Sequence, residues 1–152
     1  MASLNQIEKF IASEPVAVVG VSRNPKKFGY AAFKELKEKG LKVIPVNPSS
    51  EEILGVKSYP NVSALPPDVG GVIILTKKDQ TAGIVRETRV KGIKNIWIQQ
   101  NSDTKEAIKE LEGSDINYIT GKCILMFYKP HSIHKFHRAI VKLFGRFPKY
   151  SS

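Results

Sequence analysis

The sequence predicts an α/β fold: a Rossmann-like three-layer sandwich built on a five-stranded parallel sheet, followed by a basic amphipathic helix at the C-terminus. Two observations carry this. Short apolar runs rich in β-branched residues (PVAVVG, LKVIPV, GVIIL, KNIWIQ) recur along the chain, as expected of strands buried on both faces. Stretches with apolar residues at helical spacing lie between them, so successive strands are joined by crossovers, which are right-handed and give parallel pairing. A length of 152 residues, with 41% hydrophobic and 25% charged residues, suits a single domain with a real core.

The elements follow in order. Residues 4–12 read as a short helix with Leu4, Ile7, Phe10 and Ile11 on one side. The first strand is 15–20. A glycine-bounded loop leads to a helix from about Gly29 to Lys39, in which Ala32, Phe33 and Leu36 share a face and Gly40 is the stop. The second strand is 41–46. Segment 48–69 is rich in Pro and Ser, and one short turn of helix is expected near Glu51–Leu54. The third strand is 71–75. A helix over 79–91 takes Asp79 as its cap, and the fourth strand is 94–99, with Trp97 in the core. Residues 103–112 form a helix in which Asp103 and Glu106 have the spacing of a capping box. A weaker fifth strand covers 117–120. The domain is expected to span 1–128, with 129–152 a helical extension packed on it.

Composition narrows the function classes. The net charge of +10 favours anionic partners: phosphorylated ligands, nucleic acid or an anionic surface. No acid follows Asp115, whereas seven Lys and Arg lie between Lys122 and Lys149, so the tail carries much of the excess. No apolar run is long enough to span a membrane. The start, MASLNQIEKF, lacks the pattern of a signal peptide, and the single cysteine, Cys123, suits a reducing compartment. A cytoplasmic location is expected.

In parallel α/β sheets ligands bind beyond the carboxyl ends of the strands, where strand order reverses. After the first strand the chain reads GVSRNPKKFG. Gly20 permits a sharp turn, Val21 follows it, Ser22 offers a hydroxyl, and Arg23, Lys26 and Lys27 bring three positive charges within five residues. Phe28, Gly29 and Tyr30 open the next helix, whose free N–H groups and dipole attract phosphate. This is not the dinucleotide fingerprint, because Ser22 stands at its second glycine. The fingerprint also places an acid at the end of the second strand for a free ribose hydroxyl, and here Asn47 and Pro48 stand there. Lysine without that acid suits a ribose carrying its own phosphate, as in coenzyme A or NADP. The third strand end adds Thr76, Lys77 and Lys78, the fourth Gln99, Gln100 and Asn101, and the fifth reads TGKC.

The run AVVGVSRNPKKFGYAAFKELKEKGLKVIPVNP, with GVKSYPNVSALP downstream, resembles the stand-alone coenzyme A-binding domain proteins of bacteria and archaea. These are similar to the CoA-binding domain of the succinyl-CoA synthetase α subunit. The motif residues are Gly20, Ser22, Pro25, Lys27, Gly29, Tyr30 and Pro45–Pro48, and the likeness covers roughly residues 5–127. It implies coenzyme A as the ligand, with its pyrophosphate on the first loop, Asn47 and Pro48 beside the nucleotide, and Thr76 and Lys77 on the next wall. It implies a ligand more firmly than a reaction.

Cys123, beside Lys122 and on the expected ligand side, could form a mixed disulfide with a bound coenzyme thiol; its ordinary role is packing among Ile124, Leu125 and Met126. His131, His134 and His137 recur at helical spacing, but no Cys, Asp or Glu nearby completes a metal site, and none is expected. A tail helix over 131–144 carries Ile133, Phe136, Ile140, Leu143 and Phe144 on one face, for packing on its own sheet or for a homodimer. No RNA-binding aromatic motif, nucleophile elbow or Walker motif is present, so nucleic acid is not expected as the partner and no catalytic residues are assigned. The expectation is a coenzyme A or acyl-CoA binding, carrier or sensor protein. The alternatives are an NADP- or NAD-binding enzyme or redox sensor on the same fold, and a nucleic-acid or protein adaptor using the basic tail.

Overall fold

A computed structural model describes residues 2–128. Its elements are α1 (Leu4–Ile11), β1 (Val16–Val19), α2 (Phe28–Glu38), β2 (Val43–Val46), β3 (Glu52–Ile53), β4 (Val56–Lys57), β5 (Gly71–Ile74), α3 (Lys78–Lys91), β6 (Asn95–Gln99), α4 (Lys105–Leu111) and β7 (Asn117–Lys122). The expected tail helix, with His131, His134 and His137, lies outside the described residues.

Five strands form one parallel sheet in the order β2-β1-β5-β6-β7. Alternation along each strand divides the core. Val16 and Val18 join Ile73, Trp97 and Ile119 on the face covered by Phe10 of α1 and Phe33 and Leu36 of α2. Ala17 and Val19 join Val72, Ile74, Ile96 and Ile98 on the opposite face, beneath Ala82 and Val85 of α3 and Ala107 and Leu111 of α4. Both faces are thus dry, which is why the strands read as unbroken apolar runs. From β1 the chain moves outward to β2, then returns to the other side of β1 as β5. Strand order therefore reverses between β1 and β5, and the two connections leave a crevice at their carboxyl ends.

Beyond β2 lies the vestige of a sixth strand. Tyr59 bridges Val46 in parallel: its N–H donates to the Pro45 carbonyl at 3.1 Å, and its carbonyl accepts from the Asn47 N–H at 2.9 Å. With Tyr59 counted, the order is that of the dinucleotide-binding folds, whose third strand lies outside the second. The link to it is not helical. The turn of helix expected near Glu51–Leu54 is instead an antiparallel hairpin, β3 against β4, with Glu52 opposite Lys57 and Ile53 opposite Val56. Leu54 and Gly55 both have positive φ (50° and 78°), as a two-residue hairpin turn of the twisted kind requires, and Ile53 is buried beneath it.

Helix starts differ from the sequence reading in two places. Asp79 is not the cap of α3; the helix starts one residue earlier behind Lys77, and Asp79 sits in the first turn, where its charge suits the helix dipole. In α4 the cap is Thr104, not Asp103: its Oγ1 accepts from the Ala107 N–H at 3.0 Å. Thr104→Ala should therefore lower stability by about 1 kcal/mol in urea unfolding, while Asp103→Ala should cost much less. The fifth sheet strand is also longer than expected, reaching Lys122 through a register shift between Trp97 and Gln99.

Candidate functional site

The loop after β1 is built by short local hydrogen bonds. Gly20, at φ +99°, turns the chain where a Cβ would lie 3.0 Å from the Leu75 carbonyl carbon. Ser22 Oγ accepts from the Asn24 N–H at 3.0 Å, Asn24 Oδ1 accepts from the Lys26 N–H at 3.0 Å, and the Asn24 carbonyl accepts from the Lys27 N–H at 3.0 Å. Asn24 thus organises the turn, a use of Asn side chains seen where loops must fold on themselves. Ser22 serves the loop's own geometry, with its hydroxyl proton left to donate.

Asn47 ties the end of β2 to this loop. Its Nδ2 donates to the Val21 carbonyl at 2.8 Å, and its Oδ1 accepts from the Ser49 N–H at 2.7 Å. Both ends of the side chain are thus engaged, so Asn47 positions the first loop against the second.

The start of α2 lies directly on Gly20. A Cβ at Gly29 would collide with the Gly20 carbonyl oxygen, so only glycine allows the helix this close to the strand end. Lys27 is the N-cap residue and makes no side-chain cap, so the first amides of α2 keep their donors for a ligand. The start of α3, behind Lys77, is likewise without a side-chain cap, whereas Ser3 and Thr104 cap α1 and α4. Arg23, Lys26, Lys27 and Lys77 are exposed, and none forms an ion pair among the described residues. The first loop and the start of α2 therefore offer donors and positive charge that no carboxylate pairs with among the described residues.

Two cavities flank this loop. The first, about 230 Å³, lies in the crevice between β1, β2 and β5. Val19, Gly20 and Val21 line it from β1, Val46, Asn47 and Pro48 from β2, and Thr76 from the loop after β5. Its outer walls are Pro60, Asn61 and Val62 on one side and Gln80, Ile84 and Glu87 of α3 on the other. Glu87 accepts from the N–H and hydroxyl of Ser63 at 2.8 and 3.1 Å, so its carboxylate is used to hold the turn at 62–64. The second cavity, about 350 Å³, opens at the ends of β5, β6 and β7, and is lined by Phe28, Leu75, Thr76, Lys77, Gln99, Gln100, Asn101, Ser102 and Cys123. Thr76 belongs to both.

The structure thus groups the sequence-derived residues in three places. Gly20, Val21, Asn47, Pro48 and Thr76 line the first cavity; Phe28, Thr76, Lys77, Gln99 and Cys123 line the second. Ser22, Lys26, Lys27, Gly29 and Tyr30 lie on the loop and helix start that join them. Sequence reasoning missed the walls contributed by Asn61 and by α3. Gln80, Ile84 and Glu87 follow at spacings of four and three, one helical face, and that periodicity was the available signal. It also missed Ser102, whose Oγ donates to the Thr76 carbonyl at 2.8 Å while its own carbonyl accepts from Thr81 Oγ1 at 2.7 Å, pinning the loop after β6 to the loop after β5.

Residues 14–129 match the model of a family described as the CoA binding domain. The chain belongs to that family. Among curated relatives of this CoA-binding domain, the α subunit of the ADP-forming acetate–CoA ligase II of Pyrococcus furiosus is 41% identical over 93 residues, which cover 60% of this chain and 20% of that subunit. The chain therefore corresponds to about a fifth of that relative. The uncharacterised protein YneT of Bacillus subtilis is similar over most of both chains, 29% identical over 74% of this one and 83% of the other. Among solved structures, a conserved hypothetical protein of Pyrococcus furiosus superposes with a TM-score of 0.70 at 35% identity, covering 72% of this chain and 95% of that one. Similarity to this chain thus extends over most of some relatives and over about a fifth of the ligase subunit.

Proposed function

We propose that this domain binds coenzyme A or an acyl-CoA as a carrier, sensor or partner protein, without catalysing a reaction of its own. The adenosine end occupies the first cavity, against Val46, Pro48 and Ile84, and the diphosphate lies over the start of α2. The observation that carries this reading is the bare N-terminus of α2, pressed onto Gly20 by Gly29 and flanked by unpaired lysines. A diphosphate there meets backbone donors, the positive end of the helix dipole and neighbouring side-chain charge together. The match to the CoA-binding family and the likeness to acetate–CoA ligase support the same ligand.

NADP is the nearest competitor, because it too carries a ribose phosphate. At the end of β2, where a carboxylate would favour a free ribose hydroxyl, Asn47 is engaged with Val21 and Ser49. Titration calorimetry tests the reading. Coenzyme A is expected to bind, dephospho-CoA more weakly, and NAD not measurably. Lys26→Ala combined with Lys27→Ala should weaken coenzyme A binding about tenfold and flatten its dependence on salt, since both charges are exposed and screened. Tighter binding of NADP than of coenzyme A would overturn the assignment.

A further inference from the structure

Two polar side chains on the outer walls of the first cavity, Glu87 of α3 and Asn61, are each only half used. Both hydrogen bonds to Glu87 fall on one oxygen: Oε1 accepts from the Ser63 N–H at 2.8 Å and from the Ser63 hydroxyl at 3.1 Å. Oε2 has no donor among the described residues. Lys91, one turn further along α3, donates to the Ser63 and Leu65 carbonyls at 3.0 and 2.7 Å. The turn over 62–64 is thus held to the helix at two points, and the Glu87 carboxylate is held in one orientation. Asn61 is fixed by the same turn. Its Oδ1 accepts from the Ala64 N–H at 2.9 Å as the cap, and its Nδ2 has no acceptor among the described residues. With the oxygen committed to Ala64, the amide has one orientation too, and its NH2 is left to donate. The cavity lining therefore carries a spare acceptor and a spare donor, beside the apolar Val46, Val62 and Ile84.

We infer that Glu87 and Asn61 select adenine over 6-oxopurines: Glu87 Oε2 accepts from the exocyclic N6 amine, and Asn61 Nδ2 donates to the neighbouring ring nitrogen N1. This rests on the coenzyme A reading above, whose adenosine end it supplies with base-reading residues. Adenine shows an amine donor beside a ring acceptor on that edge. Hypoxanthine and guanine show the reverse, a carbonyl O6 beside an N1–H donor. A 6-oxopurine in the same place sets O6 against the carboxylate and N1–H against the amide NH2, so two bonds are lost and two repulsions take their place. The lysines of the first loop make no such distinction, because they meet phosphates that purine nucleotides share. The local bonds also fix what substitutions do. In Glu87→Gln, Ser63 still requires an acceptor at the Oε1 position, so the amide oxygen stands there and the NH2 takes the place of Oε2. In Asn61→Asp the cap on Ala64 keeps an oxygen, and an acceptor replaces Nδ2. Together the two changes reverse the donor–acceptor order and leave the net charge unaltered.

Titration calorimetry on the full chain tests this with coenzyme A and its deaminated form, in which hypoxanthine replaces adenine. The wild-type protein should bind coenzyme A at least about tenfold more tightly, the size of discrimination that a two-bond base contact supplies. Each single variant should narrow that ratio, and Glu87→Gln combined with Asn61→Asp should favour the deaminated form. A role for Glu87 and Asn61 confined to holding the turn predicts an unchanged ratio, since the substitutions keep the bonds to Ser63 and Ala64. Equal affinity of the wild type for the two forms, or an unchanged ratio in the double variant, would overturn the inference. If circular dichroism shows the double variant unfolded, the single variants decide, and a ratio unmoved in both has the same consequence. The same titrations keep the two conclusions apart: coenzyme A binding without base preference removes the base readers alone, whereas binding of neither form removes the coenzyme reading and this inference with it.

Discussion

Gly29→Ala is expected to reduce coenzyme A binding by about 100-fold and to lower stability by about 2–3 kcal/mol. The added Cβ has nowhere to go: it meets the carbonyl oxygen of Gly20, which is backbone in the turn directly after β1, not the movable tip of a side chain. Either α2 shifts away from β1 or the β1 turn opens, and each move separates the helix amides from the loop that frames them. Gly83→Ala is the matched control. It adds the same methyl group inside α3, where nothing lies within 4 Å, and should raise stability by up to about 1 kcal/mol with binding unchanged. Calorimetry and urea unfolding on both variants read the two effects separately. Undiminished affinity in Gly29→Ala would mean that the phosphates sit elsewhere.

Trp97→Ala should cost about 3–5 kcal/mol, a large part of the stability of a domain of this size. The side chain is fully buried and meets Phe10 edge to face at 5.5 Å and Phe127 at 6.0 Å, so it joins α1, β6 and the turn after β7 in one aromatic cluster. Its indole N–H donates to the Lys122 carbonyl at 3.0 Å, and the variant loses this bond while the carbonyl keeps the Gln100 N–H at 3.2 Å. Trp97→Phe separates the contributions: most of the packing remains, and the loss should be nearer 1–2 kcal/mol. Because the lost bond ends on Lys122, the milder variant should also loosen the corner that carries Cys123. Chemical unfolding followed by circular dichroism measures both variants.

The layers of the fold were legible because the physics that makes them acts within short windows. Val16–Val19 and Gly71–Ile74 are buried on both faces, and apolar runs of that length have few other uses in a chain whose helices are amphipathic. The hairpin at 52–57 was not legible. Each strand has two residues, and its turn is made by Leu54 and Gly55, where Leu is not a residue type that announces a positive φ. Adjacent Asp103 and Thr104 are both good caps, and composition alone does not choose between them. For the candidate site, the first βα loop stood out in the sequence because glycine, lysine and a helix start lie within ten residues. The cavity wall from Asn61 and Glu87 comes from segments that meet only after folding. The same holds for Gln99: its place at a strand end was readable, but the pairing of its Oε1 with the Ile124 N–H depends on where Ile124 comes to rest.

The single-residue bridge at Tyr59 bears on how the molecule behaves at high concentration. An open sheet margin is a template on which a second chain can add a strand and start a fibril. Along β2, Pro45 has no N–H to offer, and Tyr59 already occupies its carbonyl and the N–H of Asn47. An intruding strand would find little there to grip, so this flank of the sheet resists growth into an aggregate.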